Sequence, residues 1–464
     1  MPRLLLINPS NTHKGLGNIR ATAFPPMNLP YLAAVTPSSY QIEVLDENIQ
    51  PFEYREADLV GITAYTASVY RGYQIAQLYR DKGIPTVMGG IHVSMLPEEA
   101  LAFCDTVVIG EAEGIWPQVL TDFEAGRLQK EYRGTWPDLK NLPNPRRDIL
   151  NDAYYKWGSL QTSRGCPMDC SFCSVTAFNG RRFRRRSLDA VMAELAQIPQ
   201  KTVLLADDNI IGYSKADMAW TKAFFKRIIE SGTKKYFFAQ ASLQFGEDPE
   251  LVRLAARAGL KIVFVGMESV NPETLRSYGK NINLNRFQEN RYYELIQNIR
   301  TAGIAFLGAF VLGSDEDDLP VFHTTLEFIK TAHIDVLQIT KPTPLPGTQL
   351  WKALNKEDRI FNQNFPEDWK DYRFSRMLFK PLKLSIEDVY EGYAYIKNAY
   401  FSRWETVKRT LSTLLTTRDV AATYMAYKFN ASYRKAFVDS DNYPYATRPG
   451  LQKKFDRAGC PGAR

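Results

Sequence analysis

The segment TSRGCPMDCSFCS, residues 162–174, carries the pattern from which the fold and chemistry of this chain follow. It places Cys166, Cys170 and Cys173 within eight residues, although the whole chain has only five cysteines. Close cysteine spacing of this kind is the usual sequence sign of a metal site. The segment directly follows an apolar strand candidate, residues 160–163. The pattern therefore predicts a metal site in the loop after a strand.

The number of local ligands narrows the kind of metal site. A structural zinc site takes four ligands, and an ordinary iron–sulfur cluster takes four thiolates. Here only three are local: Cys104 and Cys460 lie far away in the sequence, and no histidine occurs between residues 93 and 322. Two interpretations remain open at this point. Either a distant residue completes a zinc site, or three thiolates hold a cubane whose fourth iron is open to a small molecule.

Length, composition and charge limit the classes of protein to which this chain can belong. The chain has 464 residues, 45% of them hydrophobic and 23% charged, which excludes disordered, collagen-like and disulfide-scaffold classes. Its formal charge of +7 is mild for this length and does not indicate a nucleic-acid partner. The longest uncharged apolar stretch, residues 301–314, is too short to span a bilayer, and the first residues lack a secretory core. We therefore expect a cytoplasmic protein with reduced thiols.

Short apolar runs alternate with segments of helical periodicity in two parts of the chain. One part precedes the cysteine segment, and the other begins with it. The earlier one has uniformly apolar strand candidates and predicts a doubly wound parallel sheet, whose ligands bind at the carboxyl ends of the strands. Its candidates are residues 3–7, 42–45, 59–63, 86–88 and 106–109. The later one predicts a partial (β/α)6 barrel. Its candidates are residues 160–163, 202–206, 236–239, 262–265, 305–312 and 336–340.

The division into domains follows from these patterns. We expect an α/β domain at residues 1–135, a proline-containing linker at 136–158, the barrel at 159–350 and a helical domain at 351–464. The last of these carries 21 basic and 13 acidic residues. Within it, a stripe of apolar residues that begins at Trp404 predicts an amphipathic helix, which packs on its own barrel or docks on a membrane. The basic run at residues 181–187 is expected to be mostly a solvated loop, with steering of an anionic substrate as the alternative.

The cysteine pattern, with the aromatic residue Phe172 before the third cysteine, resembles that of the radical S-adenosylmethionine superfamily. The resemblance implies a four-iron, four-sulfide cluster on Cys166, Cys170 and Cys173, whose open iron binds S-adenosylmethionine. One electron then cleaves this molecule to a 5′-deoxyadenosyl radical, which abstracts a hydrogen atom from the substrate. In such a mechanism the cofactors carry the difficult steps, and no protein general base is evident here.

Stretches at the later strand ends are similar to the secondary motifs of that superfamily. VLLADDN, FVGMES and FLGAFVLGSDED stand in the expected order, although the first departs from the usual Gly-Gly-Glu form. The residues that the resemblance implies around S-adenosylmethionine are Phe172, Asp207, Asp208, Gln240, Glu268, Ser269, Arg276 and Gly313. For some of these a plainer role is open. Asp207 could cap a helix, Gln240 could satisfy a buried backbone group, and Arg276 could be an ordinary exposed helix residue.

The amino-terminal stretches INPS, DLVGITAYT, VMGGIHVSMLPEEAL and VVIGEAEGIWP resemble the cobalamin-binding domain of class B radical S-adenosylmethionine enzymes. The residues implied for cobalamin binding are Thr63, Tyr65, Thr66, Gly89, Gly90, His92, Gly110 and Glu111. His13 is a candidate lower ligand, but its surroundings fail the usual Asp-x-His-x-x-Gly pattern, so we expect an open lower face, covered by Tyr65. His92 has a structural role at a helix entry as its alternative. A sheet that only recognises a partner is the competing interpretation of this domain.

The resemblance implies an enzyme that methylates an unactivated carbon, with one S-adenosylmethionine charging cobalamin and a second giving the radical. The alternative keeps the same cofactors for cyclisation, rearrangement or oxygen insertion. Alternatives of another class are a tRNA-modifying enzyme and an iron–sulfur or corrinoid sensor. The implied partners are a small-molecule or lipid substrate, a one-electron donor such as flavodoxin or ferredoxin, and a peripheral membrane contact. No nucleic-acid partner is expected.

Overall fold

A computed structural model of the chain describes residues 1–11, 24–151, 154–288, 291–438, 440 and 443–459. These residues belong to two units. Unit 1 consists of Met1–Pro167, Cys173–Gln200 and Pro344–Arg373, and unit 2 of Met168–Phe172, Lys201–Thr343 and Phe374–Arg464. The proposed lower ligand, His13, lies outside the described residues.

The core of unit 1 is a parallel sheet with the strand order β2-β1-β3-β4-β5-β6. Its strands are β1 Arg3–Asn8, β2 Gln41–Asp46, β3 Leu59–Thr63, β4 Thr86–Gly89, β5 Thr106–Ile109 and β6 Glu131–Arg133. The order reverses between β1 and β3, and such a switch point is where open α/β sheets hold ligands. This confirms the predicted doubly wound sheet. We did not predict β6, because its single apolar residue, Tyr132, stands between two charged residues at the sheet edge.

Helices pack against the apolar side chains of this sheet. They are α1 Asn28–Ala34, α2 Val69–Arg80, α3 Ile91–Met95, α4 Pro97–Leu101 and α5 Trp116–Glu124. On one face, Leu4 and Leu6 of β1 share a core with Leu29 of α1 and with Trp116 and Val119 of α5. These buried side chains fix the sheet, so the loops at the carboxyl ends of its strands start from a rigid edge.

The cysteine segment begins in unit 1. Strand β7 spans Gly158–Leu160, two residues earlier than we expected, and Ser163–Arg164 forms a separate strand, β8. Strand β8 pairs antiparallel with β9, Arg184–Arg185, so that Arg164 lies opposite Arg184. Helices α6 Ser174–Asn179 and α7 Leu188–Gln197 follow the cysteines.

Unit 2 contains the remaining predicted strands. They are β10 Thr202–Leu205, β11 Tyr236–Ala241, β12 Leu260–Glu268, β13 Ala305–Val311 and β14 Val336–Thr340. All neighbours among them run parallel, in the order β14-β13-β12-β11-β10. Every residue of β13 is buried, as expected for a parallel strand covered on both faces. The alternation of strands and helices confirms the predicted partial barrel architecture.

The helices α8 to α13 connect these strands, α14 belongs to unit 1, and α15 to α19 complete unit 2. The connecting helices are α8 Lys215–Glu230, α9 Pro249–Ala258, α10 Pro272–Ser277, α11 Asn281–Gln288, α12 Tyr292–Thr301 and α13 Pro320–Thr331. The later helices are α14 Gln349–Lys356, α15 Ile386–Tyr400, α16 Arg403–Thr417, α17 Val420–Val438, α18 Tyr443–Ala446 and α19 Leu451–Ala458. The predicted helical carboxyl-terminal part is thus present.

Two expectations about surface segments are corrected. The basic run at 181–187 is not mostly solvated, because Arg184 pairs with Glu111 and Arg186 with Glu194, and these side chains are nearly buried. The stripe on α16 does not pack on the barrel either, since Trp404, Leu411 and Leu415 are exposed. Among the described residues, no helix is both long and apolar enough to cross a membrane.

Candidate cluster, S-adenosylmethionine and cobalamin sites

The cysteine loop is fixed at both of its halves. In unit 1, Gly165 has a φ of 90°, and a Cβ there would lie 2.0 Å from the carbonyl oxygen of Arg182. In unit 2, the Ser171 amide donates to the Tyr278 carbonyl at 3.1 Å, and the Phe172 ring packs edge-on against that of Tyr278, with 4.8 Å between centroids. These contacts set the course of the loop on both sides of Cys170.

The donor set of this loop fits an iron–sulfur cluster. Cys166, Cys170 and Cys173 are all half-buried, and thiolates are the ligands that such clusters take. Cys104 is a core residue whose Sγ lies 3.2 Å from the Ala100 carbonyl, and burial raises the pKa of its thiol to about 12.

Arg164, two residues before Cys166, is held by two carboxylates from the loop after β5. It donates to Glu111 Oε2 at 2.9 Å and to Glu113 Oε1 at 2.7 Å, and all three side chains are nearly buried. Arg184 also pairs with Glu111. Although burial opposes charge, these carboxylates raise the pKa of Arg164, which therefore stays a cation. Glu111 therefore pairs with Arg164 and Arg184, which stand before and after the three cysteines in the sequence.

The backbone is strained at the end of β12. Glu268 has a φ of 63°, which costs a non-glycine residue of order 1–3 kcal/mol. Its carboxylate accepts a hydrogen bond from Lys280 Nζ at 2.7 Å and folds over Gly266, where a Cβ would come within 2.3 Å of Glu268 Oε1. Ser269 is buried, and its Oγ accepts from the Asn271 amide at 3.0 Å. The local chain therefore presents one carboxylate in a fixed position.

The other predicted residues of unit 2 lie at neighbouring strand ends. After β10, Asp207 is buried, Asp208 is exposed and Asn209 Oδ1 accepts from the Ser242 amide beyond β11 at 3.0 Å. Gln240, at the end of β11, is half-buried. Arg276 is exposed on α10, in agreement with its plainer alternative. The structure thus gathers Asp207, Gln240 and Glu268 along one sheet edge.

Gly313 follows β13 in a turn that a buried aspartate organises. Gly313 has a φ of 99°, and its amide and that of Ser314 donate to Asp317 Oδ2 at 2.9 and 3.1 Å. Thr274 Oγ1 donates to the other oxygen of Asp317 at 2.7 Å. Burial raises the pKa of Asp317 in spite of these bonds. The sequence analysis missed Asp317, although its place in the SDED turn before a helix could have indicated it.

Lys341, which the sequence analysis also missed, is fully buried directly after β14. Its Nζ donates to the Ser375 carbonyl at 3.0 Å and lies 3.9 Å from the centre of the Tyr393 ring. Burial, assisted by the nearby charge of Lys397, lowers the pKa of this amine well below its usual value. The motif ITKPTPLPGT contains this lysine, but nothing in its pattern distinguishes a buried amine from a solvated one.

The strand ends of unit 1 place most of the predicted cobalamin residues in one region. Thr63 Oγ1 accepts from Asn28 Nδ2 at 2.8 Å, and Tyr65 is 64% exposed between the buried residues Ala64 and Thr66. Gly90 has a φ of 101°, and the backbone of Ala64 already fills the space beside it. Gly89 ends β4 and Gly110 follows β5. An exposed aromatic ring among small polar residues fits the flat face of a corrin.

His92 is engaged within unit 1. Its Nδ1 lies 3.2 Å from Thr66 Oγ1 and its Nε2 3.3 Å from Glu99 Oε1. Burial lowers the pKa of His92 although Glu99 opposes the shift. Glu99 also accepts from Tyr73 OH and Trp369 Nε1, each at 2.9 Å. Because both ring nitrogens have partners, this geometry agrees with the structural alternative for His92.

Two family models match different parts of the chain. The radical SAM superfamily model matches residues 160–326, which begin at the end of β7 and include the cysteine loop. The B12 binding domain model matches residues 15–120. The chain therefore combines a radical SAM domain with a B12 binding domain. The cofactors of these domains are a four-iron, four-sulfide cluster, S-adenosylmethionine and cobalamin.

Curated relatives match most of the length of this chain. It is 28% identical to the bacteriochlorophyllide d C-12(1)-methyltransferase of Chlorobaculum tepidum, over 87% of this chain and 88% of that protein. It is 26% identical to the hopanoid C-2 methylase of Rhodopseudomonas palustris, over 76% and 68%. It is 24% identical to the anaerobic magnesium-protoporphyrin IX monomethyl ester cyclase of Rubrivivax gelatinosus, over 82% and 74%.

Solved structures share the fold of this chain. The cobalamin-dependent radical enzyme OxsB, with aqua-cobalamin and S-adenosylmethionine bound, has a TM-score of 0.69 at 15% identity, over 94% of this chain and 72% of that one. The methyltransferase TsrM from Kitasatospora setae, with cobalamin and a [4Fe-4S] cluster bound, has a TM-score of 0.67 at 17% identity, over 95% and 100%.

Proposed function

We propose that this chain methylates an unactivated carbon of a small molecule by cobalamin-dependent radical chemistry. The observation that carries the proposal is the half-buried three-thiol loop, in a chain that also has a cobalamin-type sheet. When bound, the cluster and S-adenosylmethionine supply an electron and a hydrogen-abstracting radical, and cobalamin supplies the methyl group. The methyltransferases among the relatives support this outcome.

The chain's own residues hold and orient these groups. Cys166, Cys170 and Cys173 bind the cluster, and Phe172 shields the loop against Tyr278. Glu268, held by Lys280, accepts hydrogen bonds from the ribose hydroxyls of S-adenosylmethionine, with Ser269 beside it. The other side chains proposed around this molecule are Asp207, Asp208, Gln240, Arg276 and Gly313.

The loops of unit 1 bind cobalamin in this proposal. Thr63 and Thr66 offer hydroxyls, Tyr65 covers the lower face, and Gly89, Gly90 and Gly110 keep the strand ends flat. His92 supports this site through its hydrogen bonds to Thr66 and Glu99, whereas Glu111 holds the arginines before and after the cysteines. We propose that bound cobalamin would lack histidine coordination, because the sequence around His13 fails the usual pattern and both ring nitrogens of His92 have other partners. Electron paramagnetic resonance of the cob(II)alamin form reports this.

The substrate we propose is a large apolar small molecule, in keeping with the bacteriochlorophyllide, hopanoid and magnesium-protoporphyrin that name the relatives. A flavodoxin or ferredoxin is proposed to deliver the electron, and a peripheral membrane contact would bring the protein to an apolar substrate. The compounds that name these relatives have in common only that they are small molecules. The individual substrate of this chain must therefore be identified by experiment.

The test measures the products of S-adenosylmethionine under anaerobic, reducing conditions with cluster and hydroxocobalamin loaded. We expect 5′-deoxyadenosine together with S-adenosylhomocysteine. Cys170→Ala should abolish 5′-deoxyadenosine, and its continued formation would overturn the cluster assignment. Glu268→Gln should weaken S-adenosylmethionine binding while iron content stays at the parental value.

A second function has one specific observation in its favour, the similarity to a magnesium-protoporphyrin ester cyclase. It uses the same cofactors for ring closure, rearrangement or oxygen insertion without methyl transfer. Product analysis separates the two functions, because methylation forms S-adenosylhomocysteine in proportion to 5′-deoxyadenosine. Formation of 5′-deoxyadenosine alone, with a converted substrate, would favour the second function.

A further inference from the structure

Helix α16 carries its large apolar side chains on the side that faces solvent. Trp404 is 66% exposed and Leu415 is 75% exposed, and Val407 and Leu411 between them are also exposed. The residues that the helix buries are Thr413 and Thr417. A helix on the surface of a globular protein normally has the opposite arrangement, with its apolar stripe toward the core.

Polar contacts fix α16 in this orientation. Thr413 Oγ1 donates to the buried carboxylate of Asp335 at 2.7 Å, and Arg409 Nη1 donates to the Tyr400 carbonyl at 2.9 Å. Turning the helix to bury Trp404 would break both bonds and leave the Asp335 carboxylate short of a donor. The exposed stripe is therefore part of the folded structure of unit 2.

Helix α17 extends the same kind of surface. Val420, Tyr424 and Tyr427 are exposed at helical spacing, whereas Ala422, Met425 and Ala426 are buried on the other side. The two helices contact each other. We call the exposed set the α16–α17 surface. It consists of Trp404, Leu411, Leu415, Val420, Tyr424 and Tyr427.

The exposed charges of these two helices are basic. Between positions 403 and 438, every charged residue that the structure classes as exposed is a lysine or an arginine. These residues are Arg403, Lys408, Arg418, Lys428, Arg434 and Lys435. The two acidic residues of the same stretch, Glu405 and Asp419, pair with Lys408 and Lys261. An apolar stripe with aromatic residues and a basic surround matches the interface of an anionic bilayer.

We propose that the α16–α17 surface docks on a lipid bilayer that carries anionic headgroups. Leucine and valine side chains enter the boundary between headgroups and acyl chains, tryptophan and tyrosine lie at headgroup level, and lysine and arginine face the lipid phosphates. A second copy of the chain fits less well, because two equally basic surfaces repel each other. This docking gives the peripheral membrane contact proposed above a place in the fold and does not depend on the proposed reaction.

The test is flotation of the full chain with vesicles of phosphatidylcholine alone or with phosphatidylglycerol added. We expect binding to the anionic vesicles that added salt weakens. Exchanging both Leu411→Ser and Leu415→Ser should reduce partitioning by roughly tenfold or more, because two leucine side chains lose their burial in lipid. Lys408→Gln with Lys428→Gln should weaken the preference for phosphatidylglycerol, because two of the six exposed basic residues lose their charge.

The matched control is Leu382→Ser, the same change at an exposed leucine of unit 2 outside α16 and α17. It should leave vesicle binding at the parental level. The proposal is overturned if the chain does not float with anionic vesicles, or if the double leucine variant floats as well as the parent. It is also overturned if light scattering shows a dimer that the leucine variant dissociates, since a second copy would then cover this surface.

Discussion

Glu111 is a buried carboxylate that two arginines share, and one of them, Arg164, stands two residues before Cys166. Glu111→Gln removes the charge and leaves both guanidiniums nearly buried with less compensation. We expect roughly tenfold to hundredfold weaker retention of iron after reconstitution, the size typical of residues that orient metal ligands. Iron and sulfide content per chain after desalting measures this.

The matched control for this variant is Glu98→Gln, an exposed carboxylate of the same unit. It should keep full iron content, and Glu111→Asp should restore part of what Glu111→Gln loses. The electron paramagnetic resonance signal of the reduced cluster should change in Glu111→Gln while cobalamin retention stays normal. If cobalamin rather than iron is lost, Glu111 contacts the corrin as the sequence first suggested.

Residues of this kind mark the limit of what the sequence could predict about the site. The cysteines follow from local spacing, so the pattern alone located them. Glu111 and Arg164 are 53 positions apart, and only the folded chain shows that they pair. Asp317 and Lys341 were missed for the same reason, because their burial depends on residues from distant segments.

Asp335 shows, at the scale of elements, how the last helices are attached to the barrel. Its buried carboxylate accepts from Arg300 Nε and from the Phe306 amide, each at 2.9 Å, and also from Thr413 of α16. Asp335→Asn leaves the buried Arg300 uncompensated, so we expect the free energy of unfolding to fall by about 3–5 kcal/mol. Urea unfolding measures this. Thr413→Val, which removes a single donor, should cost only about 1 kcal/mol.

The contact of α3 and α4 with Trp369 predicts a pH dependence. The pKa of His92 lies below its usual 6.5 because of burial. Burial would raise the pKa of Glu99 above its usual 4.5, but hydrogen bonds from His92, Trp369 and Tyr73 lower it. Both groups therefore bind fewer protons in the folded chain than in the unfolded chain. Stability should be fully present above about pH 6.5 and decrease as the pH falls.

The measurement is the urea midpoint of the parent and of His92→Gln at about pH 7 and about pH 5. The parent should lose more stability over this interval than the variant, since only Glu99 still contributes in the variant. If both proteins lose the same stability between these pH values, protonation of His92 does not cause the loss that begins near its usual pKa.

Elements with a strong local pattern were predictable and those made by long-range pairing were not. Strands β3 and β5 match their expected bounds because their runs are mostly apolar and contain no charged residue. Strand β6 has one apolar residue, and β8 consists of Ser163 and Arg164, which form a strand only because Arg184 and Arg185 pair with them. No periodicity exists in segments this short.

At the scale of the whole molecule, the two cofactor sites should load independently. We expect about four irons and one corrinoid per chain after anaerobic reconstitution and desalting. Cys166→Ala should lose iron and keep cobalamin, whereas Cys104→Ala should keep both, because Cys104 is a core residue. Iron analysis and the absorbance of released cobalamin measure the two contents. Iron loss in Cys104→Ala would mean that the ligands are misassigned.

The order of architectures along the chain was predictable, since strand and helix alternation is a local property repeated many times. The division at residues 135, 158 and 350 remains our proposal for the domains. Compactness groups the chain differently, because residues 344–373 belong to unit 1 and residues 168–172 to unit 2. Composition does not show where the chain leaves one unit and later re-enters it.

The close contact at Gly165 has a consequence for how this sequence can diverge. Any side chain at this position meets the Arg182 carbonyl oxygen, and the backbone there already has a left-handed φ. Selection for activity would therefore remove every change of residue 165, whereas Arg182 contributes only its backbone to this contact, and its exposed side chain lies over the Trp136 ring. In a library of random variants selected for activity, position 165 should keep glycine, and position 182 should accept several residue types.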